Sequence, residues 1–161
     1  MFRDDSKPHR ICGGRERKVD AKMICRESDS VFYAFRLLPR EDLSIALRNF
    51  AGKNGLRAGF IASAVGSLSR VGLRFAGKSE TTVLEGCYEL LSLQGTLDPD
   101  GTHLHAAISD PHGVVYGGHV MDGCIVRTTM ELVVGSLSDI AFSREYCPVS
   151  TYEELRVEPL N

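Results

Sequence analysis

Three histidines in the second half of the chain have a spacing that suits metal binding. His103 and His105 are two residues apart, and side chains at that separation project from the same face of a β-strand. His119 follows after a stretch that contains a turn sequence. Three neutral imidazoles with an open fourth position are typical of catalytic zinc sites. Because imidazole also binds other first-row metals, the pattern indicates a divalent transition metal, with zinc as the first choice.

The same three histidines permit two other interpretations. Converging imidazoles can bind an anionic ligand, or they can hydrogen-bond to one another, to water or to a neighbouring subunit. The remaining histidines, His9 and His112, lie in a polar tail and at a turn tip, where we expect them to be solvated. Metal binding, anion binding and a purely structural role all stay open.

The sequence Asp110-Pro111-His112-Gly113 predicts the turn that brings the histidines together. Asp and Pro suit the first two positions of a type I turn, and Gly suits the left-handed position after it. This is the three-residue hairpin loop with a G1 bulge. It pairs Asp110 with Val114, and therefore His105 with His119, with Cβ atoms about 5 Å apart. His103 then becomes a diagonal neighbour of His119. We expect the opposite face, which carries Leu104, Ala106 and Ile108, to pack on a helix.

A second hairpin is predicted immediately afterwards. Met121-Asp122-Gly123-Cys124 matches a two-residue type I′ turn that pairs residue 121 with residue 124. One face then carries the histidines with Val126, Thr128 and Met130, and the other carries Arg127, Thr129 and Glu131. A bulge at Cys124 would invert this assignment. Glu131 is a candidate fourth ligand or the partner of a nearby arginine, and Arg127 is a candidate anion-binding or ion-pairing residue.

The remaining elements predict an α+β fold in which an antiparallel β-sheet is covered by one α-helix. Apolar residues at Leu43, Ala46, Leu47, Phe50 and Ala51 follow helical spacing. Pro39 is expected to open this helix, and Asn54-Gly55 to end it. Strands are predicted at 31–38, 58–65, 70–76, 87–97, 102–110, 114–121, 125–137 and 141–146, with a closing turn at 152–155. Strands in sequence joined by short turns favour an antiparallel sheet.

Composition and charge limit the possible classes of protein. The chain has 161 residues, which suits one domain, and no apolar run approaches the roughly 20 residues that span a bilayer. Its first residues are charged and lack the apolar stretch of a secretory signal, so we expect a cytoplasmic protein without membrane contact. The five cysteines are scattered, without a C-x-x-C pair, which favours reduced thiols.

Residues 1–29 are predicted to form a flexible basic extension in front of a domain at 30–161. Residues 1–26 contain eight Lys/Arg and four Asp/Glu, a charge of +4, so the remainder of this chain of net charge −2 carries −6. A basic tail on an acidic body can reach nucleic acid. The alternative is a solvated tail without a partner.

An ordered series of short motifs between residues 31 and 157 resembles the PPC (plants and prokaryotes conserved) domain, also called DUF296. The series includes Leu38-Pro39-Arg40-Glu41-Asp42-Leu43, Gly66-Ser67-Leu68, Gly86-Cys87-Tyr88-Glu89-Leu90-Leu91, His103-Leu104-His105, Ser109-Asp110-Pro111-x-Gly113, Gly117-Gly118-His119, Arg127-Thr128-Thr129 and Thr151-Tyr152-Glu153-Glu154-Leu155. The resemblance implies an antiparallel sheet with a flanking helix and a homotrimer.

For the site, the resemblance implies that His103, His105 and His119 are the metal-binding set. It also implies protein–protein contact through the segment formed by Gly86, Cys87, Tyr88, Glu89, Leu90 and Leu91. Prokaryotic members usually stand alone and are described as DNA-binding, whereas plant members are nuclear and follow AT-hooks.

The sequence departs from the plant pattern at two places. An AT-hook has an Arg-Gly-Arg-Pro core that lies in the minor groove, but the tail offers Gly13-Gly14-Arg15-Glu16-Arg17-Lys18. Cys87 stands where the plant segment carries Arg. Both differences argue against a nuclear role on AT-rich DNA, although a eukaryotic source would allow nuclear localisation.

Three functions follow from these observations. The first is a DNA-associated, regulatory trimer with a three-histidine site, in which the extension contacts DNA because the acidic domain repels phosphates. The second is a metal-dependent enzyme acting on a small molecule, with Tyr88, Glu89 or Glu131 as proton-transfer groups. The third is a trimeric protein-interaction module.

Overall fold

The computed structural model describes residues 25–160, which form one helix and eight strands. In chain order they are β1 (Ser30–Leu37), α1 (Leu43–Asn54), β2 (Gly59–Arg74), β3 (Thr82–Asp98), β4 (Gly101–Ser109), β5 (Val115–Val120), β6 (Ile125–Leu137), β7 (Ile140–Cys147) and β8 (Tyr152–Pro159). The predicted basic extension over residues 1–29 lies outside the described residues, apart from residues 25–29. Within residues 25–160, no helix has the length and apolar character that a bilayer crossing requires.

Six strands form one antiparallel sheet in the order β1-β6-β2-β3-β4-β5. A further pairing between β5 and the end of β2 joins β2, β3, β4 and β5 into a closed ring. β7 and β8 form a separate two-stranded antiparallel sheet. The α+β class, the antiparallel sheet and the single helix are therefore confirmed.

The helix begins later than the sequence pattern predicts. Asp42 has extended backbone angles, and its carboxylate accepts a hydrogen bond from the backbone N–H of Ile45 at 3.1 Å, as an N-cap residue does. Arg40 has a φ of 76°, which no residue inside a right-handed helix adopts. Pro39 therefore does not open the helix. The predicted end is confirmed, because Gly55 has a φ of 62° and its N–H donates back to the last turn.

The core lies between α1 and the inner face of the sheet. Leu43 and Leu47 of the helix are fully buried, and they belong to the same apolar cluster as Leu104 and Ile108 of β4. Ala106 is buried on the same side, which confirms that the face of β4 opposite the histidines packs toward the helix. The histidines consequently project from the outer face of the sheet.

Two strand predictions are wrong for identifiable reasons. The two segments at 58–65 and 70–76 belong to one strand, β2, because bulges between Leu68 and Arg70 bend it without ending its pairing with β3 and β6. Residues 152–155 are not a closing turn but the start of β8, which pairs with β7 along its whole length. Most of β8 is exposed and lacks the alternation that marks a half-buried strand.

The second predicted hairpin does not form. Met121 donates its N–H to the carbonyl of Gly72 at 2.9 Å, and Ile125 pairs with Arg70, so both flanking strands pair with β2 instead of with each other. The loop between them is fixed by the carboxylate of Asp42, which accepts the N–H of Gly123 at 2.9 Å. Val126 and Met130, which were predicted to share the histidine face, are buried in the core instead.

Candidate metal centre

The turn that carries the site has the predicted geometry. The N–H of Asp110 donates to the carbonyl of Val114, and the N–H of Gly113 donates back to the carbonyl of Asp110, both at 3.0 Å. The Asp110 carboxylate also accepts the N–H groups of His112 and Val114, at 2.8 and 3.0 Å. Gly113 has a φ of 80°, which a glycine adopts at little cost. His112 is exposed at the tip, as expected.

The register of the hairpin places His105 directly opposite His119, as the turn predicts. The ring centroid of His103 lies 5.4 Å from that of His105 and 5.1 Å from that of His119. The ring centroids of His105 and His119 are 5.4 Å apart. One nitrogen from each ring lies within 4.8 Å of the other two. Within residues 25–160 no other group of three His, Cys, Asp or Glu side chains is as close together.

The donor set suits a divalent transition metal. Nitrogens bound to one tetrahedral zinc at about 2.1 Å lie roughly 3.4 Å from one another, and the three ring nitrogens here lie within 4.8 Å of one another. Only neutral imidazole has the lone pair that a metal requires. Burial lowers the pKa of His119 to about 4, and the positive charges of Arg74 and the other histidines act in the same direction. Burial, Arg144 and His105 likewise lower the pKa of His103.

An arginine from β7, which the sequence pattern did not identify, lies beside His103. The Arg144 guanidinium donates from Nε to Oδ2 of Asp98 at 3.0 Å and from Nη2 to Oγ1 of Thr96 at 2.8 Å. Nη2 also lies 3.0 Å from Oδ2 of Asp98, so the two side chains form a salt bridge. Its Nη1 atom lies 3.5 Å from Nδ1 of His103. Arg144 is therefore held in a fixed orientation with one edge facing the histidine cluster.

Asp98, which holds Arg144, is itself buried and fully hydrogen-bonded. Its side chain is 1% exposed. The second carboxylate oxygen accepts the N–H groups of Asp100 and Gly101 at 3.0 Å, in the turn between β3 and β4. Asp98-Pro99-Asp100-Gly101 is a typical turn sequence, so the sequence indicates that Asp98 lies in a turn. Nothing local in the sequence connects Asp98 with Arg144, which is 46 residues away.

A second arginine lies on the opposite side of the cluster. Arg74 ends β2 and is the direct cross-strand partner of His119. Its side chain is half-buried, and it forms no salt bridge with any residue between 25 and 160. The strands approach closely here, since a Cβ on Gly118 would lie 2.8 Å from the carbonyl oxygen of Arg74. Only glycine at position 118 permits that approach.

Glu131 is not a ligand in this structure. It lies on β6, opposite Val65 of β2 and Arg36 of β1, and does not belong to the histidine group. The hairpin that was expected to bring it near does not form. Arg127, on the same strand, is exposed and makes no salt bridge within residues 25–160.

The proposed proton-transfer groups on β3 also lie away from the cluster. Tyr88 packs edge-to-face against Tyr116, and Glu89 pairs with Ser109 near the hairpin tip. His105 pairs with Gln94, which is six positions from Tyr88 and five from Glu89 along β3, a distance of roughly 17–20 Å along a strand. The segment predicted to contact proteins is partly accessible: Cys87 and Glu89 are exposed and Leu91 is 55% exposed, whereas Leu90 is in the core.

The described residues thus form an antiparallel α+β domain with one helix, in which one hairpin carries three outward-facing histidines. Residues 26–138 match the model of the Plants and Prokaryotes Conserved (PCC) domain, and the chain belongs to this family. A hypothetical protein from Salmonella cholerae-suis has a similar structure, with a TM-score of 0.82 and 50% identity over 83% of this chain and 97% of that one. The metal-containing protein AF0104 from Archaeoglobus fulgidus is similar with a TM-score of 0.69 and 26% identity, over 83% of this chain and 99% of its own.

Two curated relatives are larger proteins. The bifunctional protein GlmU of Synechococcus sp. (strain JA-3-3Ab) is 45% identical over 126 residues, which is 78% of this chain and 20% of that protein. The AT-hook motif nuclear-localized protein 10 of Arabidopsis thaliana is 35% identical over 113 residues, which is 65% of this chain and 32% of that protein. The chain thus spans a fifth to a third of the length of these two relatives.

The lowered pKa of His119 makes stability depend on pH in a defined window. The unfolded chain protonates this histidine near pH 6.5, whereas the folded chain does so near pH 4, so the unfolded state takes up the proton first as the pH falls. Metal-free protein should therefore lose stability between about pH 6.5 and 4, and His119→Gln should lose less over that range. Urea unfolding at pH 7 and pH 4.5 measures both differences. His112→Gln is the control and should behave as wild type; equal losses in all three proteins would contradict the assignment.

Proposed function

We propose that this PCC chain binds a divalent transition metal, zinc in the first instance, through His103, His105 and His119, and that it works as a homotrimer. The observation that carries the metal site is the convergence of three imidazole nitrogens within 4.8 Å. The lowered pKa values of His103 and His119 support it, because the rings are neutral at physiological pH.

The exposure of the site favours a ligand-binding metal over a purely structural one. Structural zinc sites are closed by four protein ligands, whereas sites that act on substrates keep a position open. Within residues 25–160, three ligand side chains converge here, and His103 and His105 face solvent. A metal held there would polarise an oxygen ligand in the open position. The chain's own contribution is to orient the three rings and to lower the pKa values of His103 and His119.

Removing two of the ligands should abolish metal binding. Full-length His105→Ala/His119→Ala leaves one imidazole, so zinc content after dialysis, measured by inductively coupled plasma mass spectrometry, should fall from about one per chain to near zero. His112→Ala removes an exposed histidine from the same hairpin and should keep wild-type zinc content. A double variant with full metal content would refute the site.

The trimer proposal rests on the family resemblance and on apolar side chains that the single chain leaves exposed. Val65 of β2 and Leu91 of β3 are 56% and 55% exposed. Gly66 pairs with Leu90, and Val65 and Leu91 each lie one residue from this pair on their strands, where both side chains are exposed. Exposed apolar patches mark contact surfaces. We propose that a second copy of the chain covers the patch around these two residues, which includes part of the segment from residue 86 to residue 91.

Introducing charge into this patch should dissociate the trimer. Leu91→Glu places a carboxylate in the proposed interface and should shift the sedimentation coefficient from that of a trimer toward that of a monomer. Ile45→Glu, at a 49% exposed position on the outer face of α1, should leave the trimer intact. A wild-type chain that sediments as a monomer at micromolar concentration would rule out the homotrimer.

DNA binding is a second candidate function, and two observations favour it. The Arabidopsis relative is named after an AT-hook motif. Residues 1–26 carry eight Lys/Arg against four Asp/Glu, whereas the remainder has a net charge of −6. Because duplex binding depends on neutralising phosphates, we place any DNA contact in the N-terminal extension and not on the domain.

Deleting residues 1–26 should abolish DNA binding if the extension provides it. Gel shifts at about 0.15 M salt, where purely non-specific contacts are weakened, should show retardation of a duplex by the full chain and none by the truncated chain. The deletion keeps Ser28 and Asp29, which hydrogen-bond to Asp139. Equal retardation by both chains would place the contact on the domain, and no retardation by either would exclude this function.

A further inference from the structure

We infer that the three-histidine site takes a small oxyanion, carried on a carboxylate or phosphate group, which binds between the metal position and the guanidinium groups of Arg144 and Arg74. This inference rests on the proposed metal site and names the ligand class of that site. It is carried by the hydrogen-bonding capacity of Arg144 and by the balance of charge around the cluster.

Arg144 has one edge that lacks a suitable partner once His103 binds a metal. A guanidinium has five N–H groups. The Nε and Nη2 groups donate to Asp98 and Thr96. Among residues 25–160, the only acceptor near Nη1 is Nδ1 of His103, at 3.5 Å.

Once His103 binds a metal, its Nδ1 atom can no longer accept a hydrogen bond from Arg144, whichever ring nitrogen is the ligand. If Nδ1 binds the metal, its lone pair is no longer available to Arg144. If Nε2 binds the metal, the neutral ring must carry its proton on Nδ1, which then faces Nη1 as a second donor. In both cases the Nη1 hydrogens need an acceptor other than the side chains and carbonyls of residues 25–160, and they face the histidine cluster.

The charge around the site requires an anion only when the metal is present. Arg144 and Asp98 form a salt bridge, and the opposite charges of Arg74 and Glu154 of β8 both act on His103. The four side chains therefore sum to zero, and a divalent ion raises the total to +2. Asp98 is buried with both oxygens already bonded, so it cannot turn toward the metal. An oxyanion that bridges the metal position and Nη1 of Arg144 offsets this charge and supplies the missing acceptor.

Arg74 provides a second contact from the other side. It lies opposite His119 in the ladder between β2 and β5 and has no salt-bridge partner within residues 25–160. The two arginines thus approach the cluster from β2 and β7. A small oxyanion with two or three oxygens has enough acceptors for the metal and both guanidinium groups.

The experiment uses the full-length chain loaded with Co²⁺, whose visible spectrum reports its ligands. Sodium acetate and inorganic phosphate are titrated separately, at ionic strength held constant with perchlorate. At least one of the two anions should change the spectrum saturably, and its dissociation constant should rise about tenfold in Arg74→Gln and in Arg144→Lys. Arg144→Lys keeps a cation beside the buried Asp98, and Arg74→Gln breaks no salt bridge among the described residues. Arg36→Gln, at an exposed position on β1, is the matched control and should bind as wild type.

The outcomes separate the two proposals. A chain that takes up no Co²⁺ refutes the metal site and this inference with it. A chain that takes up Co²⁺ but shows no spectral change with either anion, or binds them equally well without Arg74 and Arg144, keeps the metal site and overturns the oxyanion site. A response to acetate alone assigns a carboxylate ligand, and a response to phosphate alone assigns a phosphate-bearing one. Anion binding by metal-free protein with unchanged affinity would contradict the charge argument.

Discussion

The site depends on the antiparallel register that the turn after Asp110 sets between β4 and β5. The Asp110 carboxylate accepts two backbone N–H groups of the loop, and Gly113 takes the left-handed conformation that closes it. Together they place His105 opposite His119. Because side chains alternate along a strand, a slip of one residue would move one histidine to the core face, where the helix packs. Burial of Leu104 and Ile108 on that face opposes such a slip, so the packing of the core and the geometry of the site support the same register.

The features that the sequence revealed are those encoded within a few residues. The histidine cluster follows from a turn and an alternation over 17 residues, and the helix end follows from one glycine. The pairing of β5 with β4 was predicted correctly, but the predicted pairing of β5 with β6 through residues 121–124 was wrong, because β5 pairs with the end of β2 instead. Pairing with β2 allows Val126 and Met130 to be buried in the core. It also closes the ring of strands, since Leu73 and Arg74 of β2 pair with β5. A local sequence pattern cannot show the stability gained when strands that are distant in the sequence pair with each other.

The charged groups around the histidines were missed for the same reason. Arg74 reaches His119 only because β5 pairs with β2, and Arg144 reaches His103 only because β7 packs near the turn between β3 and β4. The sequence shows both arginines as ordinary strand residues. β8 was missed because its side chains are nearly all exposed and many are glutamates. A single sequence therefore indicates ligand residues that are close in the chain, and underestimates groups brought in by non-local pairing.

The ion pair between Asp98 and Arg144 connects the histidine cluster to the two-stranded sheet. β7 is attached to the main sheet by this pair and by a small apolar cluster that includes Ala58, Ile140 and Phe142. Removing one partner of a buried ion pair costs about 3–5 kcal/mol, because the other charge stays buried without compensation. A carboxylate as deeply buried as Asp98 therefore requires a cation at position 144, and the same cation faces His103. The same ion pair therefore helps to attach the second sheet and places a positive charge beside the histidines, so a substitution at position 144 affects both.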